Sequence, residues 1–96
     1  MPVAQLTLEL HIEASHSLKD RRQVVRSLKD RLRAKFNISV AELEETDLWQ
    51  RATIGVVAIS SSRDYLQGLM QNIEREAARI ALSHGAEVRD SAVEIS

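Results

Sequence analysis

A chain of 96 residues with 44% apolar side chains can bury a core as one domain, and that composition excludes a disordered chain. Only three residues are aromatic (Phe36, Trp49, Tyr65), so the core is expected to be Leu, Ile, Val and Ala; the lack of cysteine excludes disulfides and thiolate metal sites and fits a reducing cytoplasm. The net charge of −1 says little about partners until it is divided by segment.

In chain order, the opening MPVAQLTLEL has no basic stretch and reads as a strand, not a secretory signal. From Val3 to Ile12 the residues alternate: Leu6, Leu8, Leu10 and Ile12 point one way, and Thr7, Glu9 and His11 the other. After the loop EASHS, Ser17 and Asp20 have the spacing of a capping box. Residues 17–36, SLKDRRQVVRSLKDRLRAKF, then predict one long helix, with Asn37 as a left-handed stop. Leu18, Val25, Leu28, Leu32 and Phe36 form its apolar stripe, and Lys19, Arg22, Arg26, Lys29 and Arg33 form a wholly basic stripe beside it. Eight Lys/Arg against two acids give this segment a net charge of +6, so the remainder of the chain sums to −7.

Residues 38–43 predict a second strand, followed by an acidic connection. Residues 50–60, QRATIGVVAIS, predict a third strand, nearly continuous in apolar residues from Ile54 to Ile59 and so central, covered on both faces over part of its length. Ser61 and Asp64 repeat the capping signal, and Leu66, Leu69, Met70, Ile73, Ala77, Ile80 and Ala81 recur at helical spacing to about residue 84. Gly85 sits where a glycine ends a helix, with His84 favourably placed at the C-terminal dipole. The last strand, Ala86–Ile95, changes apolar parity and predicts a bulge near Asp90 and Ser91. No apolar run approaches the roughly 20 residues of a membrane span, so no membrane partner is expected.

The order β-α-β-β-α-β, built with right-handed crossovers, predicts an α+β ferredoxin-like sandwich over residues 1–96. It consists of a four-stranded antiparallel sheet with two helices on one face. That architecture hosts many unrelated functions.

With the elements placed, ELHI, SLKDRRQVVRSLKDRLRAKFN, VAE and DLWQRATIGV, within roughly the first 60 residues, resemble the YlxP-like bacterial proteins, a small family of unknown function. The resemblance supports the same fold. It also implies an association with translation and ribosome maturation, because such proteins are usually encoded beside factors of that kind. It implies no active site.

The basic stripe of helix 18–36 is the first candidate site. Cations spaced along a helix can track a phosphate backbone and release its counterions. Few acids stand at pairing distance on the helix itself, Asp20 and Asp30 only, which weakens the reading as an ordinary solvated face. An acidic protein, or the chain's own acidic stretch at residues 42–47, is the competing partner. Trp49 and Arg51 are the next candidates. Trp49 can stack on a base or fill a partner's pocket, but capping the open end of the core is the favoured reading; Arg51 joins Lys19, Arg22, Arg26, Lys29 and Arg33 as a nucleic-acid contact. The central strands LTLELHI and ATIGVVAI lack the stacking aromatics of an RNA-recognition-motif sheet, which excludes that mode.

His11, Glu13 and His16, with Glu9, are near one another in sequence but poorly arranged for a metal, so no metal and no cofactor are expected. There is no GxSxG, glycine-rich phosphate loop or cysteine nucleophile, and no catalytic residue is assigned. On the third strand, Val57 and Ile59, or Ile54 and Val56, must face away from the helices, which makes that sheet face a candidate homodimer surface. The expectation is a cytoplasmic protein without catalytic activity that binds ribosomal RNA or a ribosomal subunit through its first helix. The alternative is a homodimeric interaction module that presents the helix to an acidic protein.

Overall fold

The structure, a computed structural model, describes residues 1–13, 15–44 and 48–96. The chain runs β1 (Val3–Ile12), α1 (Leu18–Lys35), β2 (Ser39–Glu44), β3 (Arg51–Ile59), α2 (Arg63–Ser83) and β4 (Ala86–Ile95). All strand pairs are antiparallel, in the order β2-β3-β1-β4. This is the expected ferredoxin-like arrangement. The alternation in β1 puts Ala4, Leu6, Leu8, Leu10 and Ile12 on the helix side, and cross-strand pairing sets Ala52, Ile54, Val56 and Ala58 of β3 beside them. α1 covers β2, α2 covers β1 and β4, and the helices touch each other. Val25, Leu28 and Leu32 of α1 and Leu66, Met70, Ile73, Ala77, Ile80 and Ala81 of α2 complete one core with no buried aromatic ring.

The helix ends follow local chemistry. The Ser17 hydroxyl accepts the Asp20 N–H at 3.1 Å, and the Asp20 carboxylate reaches back to accept the His16 N–H at 3.1 Å. At the other end Phe36 is the C-cap in extended conformation, and among the described residues Gly85 alone has positive φ. Asn37 is therefore not the left-handed stop its sequence position predicts, because the chain already leaves the helix at Phe36 in an extended conformation on its way to β2.

The cap of α2 is Ser62, one residue later than expected, with its hydroxyl accepting the Tyr65 N–H at 3.1 Å. The cause lies upstream, where the Ser60 hydroxyl accepts the Ser62 N–H at 3.1 Å and turns the chain out of β3 first. Gly85, at φ 74°, ends α2 as the sequence predicts. Beside it the Ser83 hydroxyl and His84 Nδ1 lie 2.7 and 2.9 Å from the Ile80 carbonyl, satisfying an otherwise orphaned acceptor.

Two irregularities shape the sheet. β4 pairs Val88 with Leu10 and Asp90 with Glu9, so Arg89 is the extra residue, one position before the expected bulge. β2 pairs Glu42 with Ile54 and Glu44 with Thr53, which makes Leu43 a second extra residue that no parity change announces. Leu43 lies across Gly55 so closely that a Cβ there would stand 2.6 Å from Leu43 Cδ2. β3 is central, but its outer face is open: Val57 and Ile59 point away from the helices and are exposed.

Candidate nucleic-acid interface

Ser17 fixes the start of α1, and its buried residues fix the rotation. Once Val25, Leu28 and Leu32 face the sheet, the basic stripe must lie to one side of the contact. That side faces the edge strand β2. Arg22, Arg26, Lys29 and Arg33, with Val25, Asp30 and Glu42, line an open groove of about 340 Å³ between helix and strand. Lys19 lies on the same stripe, exposed, one turn toward the helix start.

Arg21, which lies outside the basic stripe, decides the electrostatics of this groove. It is buried, 5% exposed, and its guanidinium forks onto Glu42: Nη2 donates to Oε1 at 2.8 Å and Nη1 to Oε2 at 3.4 Å. Its Nε donates to the Arg51 carbonyl at 2.8 Å. One arginine thus ties α1 to β2 and to the start of β3. The same fork occupies both oxygens of Glu42, an acid on the groove wall, so that Glu42 does not neutralise the stripe. A signal for this pair exists in the sequence: Arg21, Val25, Leu28 and Leu32 follow i, i+4, i+7, i+11, which places a cation on the apolar face where an acid must meet it.

The other cations divide clearly. Lys35 pairs with Glu76 of α2 at 3.0 Å, and Arg33 stands 3.9 Å from Asp30 with both side chains exposed. Among the described residues, Lys19, Arg22, Arg26, Lys29 and Arg31 have no ion-pair partner. Hydrogen bonds from Arg79 and then Lys35 hold the Glu76 carboxyl below the usual carboxylate range. This helix–helix clasp is therefore in place above that range and is lost as pH falls through the lowered value. The acidic stretch expected to compete for the stripe includes residues 45–47, which lie outside the described residues.

Arg51 is not part of this groove. Because Ala52 faces the core, Arg51 faces the opposite side of the sheet, paired across strands with His11. Trp49 is 51% exposed and does not cap the core, contrary to the favoured sequence reading. The reason is that β1 continues its ladder beyond Arg51, with Ile12 N–H donating to the Gln50 carbonyl at 2.8 Å, which holds this segment at the sheet margin. Alanines 52 and 86 with Ile12 fill the core end that Trp49 was expected to cover.

His11, Glu13 and His16 do not converge, and no group of three or more ligating side chains forms among the described residues. The Glu9 carboxylate instead accepts a hydrogen bond from the Thr53 hydroxyl at 2.8 Å. Among the described residues, no helix is long and apolar enough to cross a membrane.

Solved structures that share this fold do so at low identity. The Bacillus subtilis YXEP protein, described as a dinuclear metal binding peptidase of the M20 family, matches with TM-score 0.59 at 14% identity, over 97% of this chain and 25% of that one. A C-terminal segment of the alpha subunit of aIF2 from Pyrococcus abyssi matches with TM-score 0.55 at 14% identity, over 97% of this chain and 50% of that one. A de novo designed protein with a ferredoxin fold matches with TM-score 0.59 at 6% identity, over 100% of this chain and 84% of that one. These likenesses show the fold alone.

In sequence, the chain is 39% identical over 57 residues to the uncharacterized protein YlxP of Bacillus subtilis (strain 168). The matched stretch is 59% of this chain and 62% of that relative's length. A family profile matches nearly the whole chain, residues 3–92. The chain belongs to that family, the proteins of unknown function DUF503.

Proposed function

We propose that this protein is a non-catalytic cytoplasmic RNA-binding factor that holds a phosphate backbone in the groove between α1 and β2. The observation that carries this reading is the division of labour among the helix's cations. Arg21 is turned inward and occupies Glu42, while Arg22, Arg26 and Lys29 line the groove without an ion-pair partner among the described residues. A groove of this kind offers a strand a wall of cations on one side and a sheet edge on the other. Phosphate contacts give affinity without sequence reading. Ribosomal RNA is the preferred ligand because the resemblance to YlxP-like proteins implies an association with ribosome maturation. Co-sedimentation tests this. The protein is expected with ribosomal subunits in lysates at low salt and free of them at moderate salt, and its absence from subunits at both would refute the reading.

The outer sheet face favours a second reading, a homodimer that presents α1 to an acidic protein. Leu43, Val57 and Ile59 are 55%, 39% and 59% exposed on the face without helices. Strand parity now separates two substitutions that the sequence could not. Val57→Lys is expected to turn a dimer into a monomer with little change in stability. Val56→Lys, at a fully buried position, is expected to unfold the domain by placing a charge in the core. A wild-type protein that remains monomeric at high micromolar concentration in sedimentation ends this reading.

A further inference from the structure

On the sheet face opposite the helices, a second depression of about 510 Å³ is lined by His11, Leu48, Trp49, Gln50, Arg51 and Arg89. Three separate features of the fold bring this set together. The extended β1–β3 ladder holds Gln50 and Trp49 at the margin. The parity of β3 sends Arg51 outward beside His11. The β4 bulge supplies Arg89 as a residue with no place in the ladder.

We infer that this corner is a nucleotide site, in which a base stacks on Trp49 and the attached phosphate meets Arg51 and Arg89. The volume falls within the range of small-ligand sites, roughly 300 to 1,000 Å³, and the chemistry is divided as a nucleotide requires. Its lining combines an aromatic side chain, on which every base can stack, with two guanidinium groups, which suit phosphate. Arg51 has no ion-pair partner among the described residues. Arg89 donates Nε to Glu87 at 2.6 Å, and among the described residues its two terminal nitrogens have no further partner. An apolar peptide anchor would meet two guanidiniums here, whereas a single-stranded nucleotide can use both kinds of side chain. The inference rests on the RNA-binding reading and adds to it. Arg21 of the first turn of α1 bonds the Arg51 carbonyl, so the groove and the corner are neighbours through one residue.

Trp49 is the only tryptophan, so its fluorescence reports on this corner alone. Titration with a short oligoadenylate is expected to quench it saturably, in wild type and also in the variant with Arg22, Arg26 and Lys29 changed to Glu. With a labelled oligoadenylate followed by anisotropy, Trp49→Ala is expected to weaken binding about 5- to 150-fold, with Trp49→Phe restoring much of it. Arg51→Ala is expected to weaken binding of the oligonucleotide more than that of free adenosine. Trp49 lies outside the core, so these variants should keep the wild-type melting temperature. A wild-type protein without saturable quenching, or a Trp49→Ala variant that binds as wild type does, overturns the inference. Neither result touches the α1 groove, whose salt-dependent affinity for longer RNA is measured separately.

Discussion

A variant with Arg22, Arg26 and Lys29 all changed to Glu is expected to melt at the wild-type temperature and to bind every RNA more weakly. Arg22 and Arg26 are exposed, Lys29 is half-buried beside the groove, and none has an ion-pair partner among the described residues. Surface changes of this kind shift stability by less than about 0.5 kcal/mol each, and reversal here replaces one row of like charges with another. Binding should respond much more strongly. Each phosphate contact on a single strand contributes about −0.7 to the slope of log affinity against log salt, so three lost contacts flatten it by about 2. The loss should be uniform across RNA sequences, because these cations meet phosphates and read no base. Equal binding by variant and wild type would remove α1 as the contact surface.

Breaking the Arg21–Glu42 pair is expected to have the largest effect on stability. Arg21→Met leaves a carboxylate whose side chain is only 16% exposed without its bidentate partner, and it also orphans the Arg51 carbonyl. Removing one partner of a buried ion pair costs about 3 to 5 kcal/mol. The open groove beside Glu42 admits water and places Arg22 and Arg26 nearby, so a value toward the lower figure, about 3 kcal/mol, is expected. Against a typical total of about 5 to 15 kcal/mol, that is a large share. The double variant Arg21→Met with Glu42→Leu should recover most of the loss, because two apolar side chains leave no uncompensated charge. Urea denaturation of both single variants and the double variant measures this. Arg21→Met within about 0.5 kcal/mol of wild type would show that the pair does not hold the helix in place.

The parts of the fold legible in sequence were those written in periodicity. Leu6, Leu8, Leu10 and Ile12 declared both the first strand and its buried face, and the stripe through Val25, Leu28 and Leu32 fixed the rotation of α1. Gly85 marked a helix end because only the left-handed backbone at φ 74° required it. Asn37 gave the same signal falsely. Asparagine tolerates that conformation without demanding it, and here the extended exit to β2 prevailed.

The irregularities were harder to read. The β4 bulge was visible as a parity change, but its position at Arg89 depends on pairing with β1. Leu43 left no trace, because an extra residue in a short edge strand disturbs no pattern long enough to notice. For the candidate site, the basic stripe was legible, whereas its partition was not. Arg51 was grouped with α1 by charge alone, although the inward parity of Ala52 already sends it to the other side of the sheet. Trp49 was assigned to the core by composition, yet small alanines and Ile12 closed that end, leaving the indole exposed.

The central claim is that the groove between α1 and β2 holds a phosphate backbone. Titrating wild-type protein with a ribosomal RNA fragment at several salt concentrations tests it most directly. Arg22, Arg26, Lys29 and Arg33 line the groove, and four single-strand contacts predict a linear fall of log affinity with log salt at a slope of about −2.8. A slope near zero, or no binding at low salt, would contradict it.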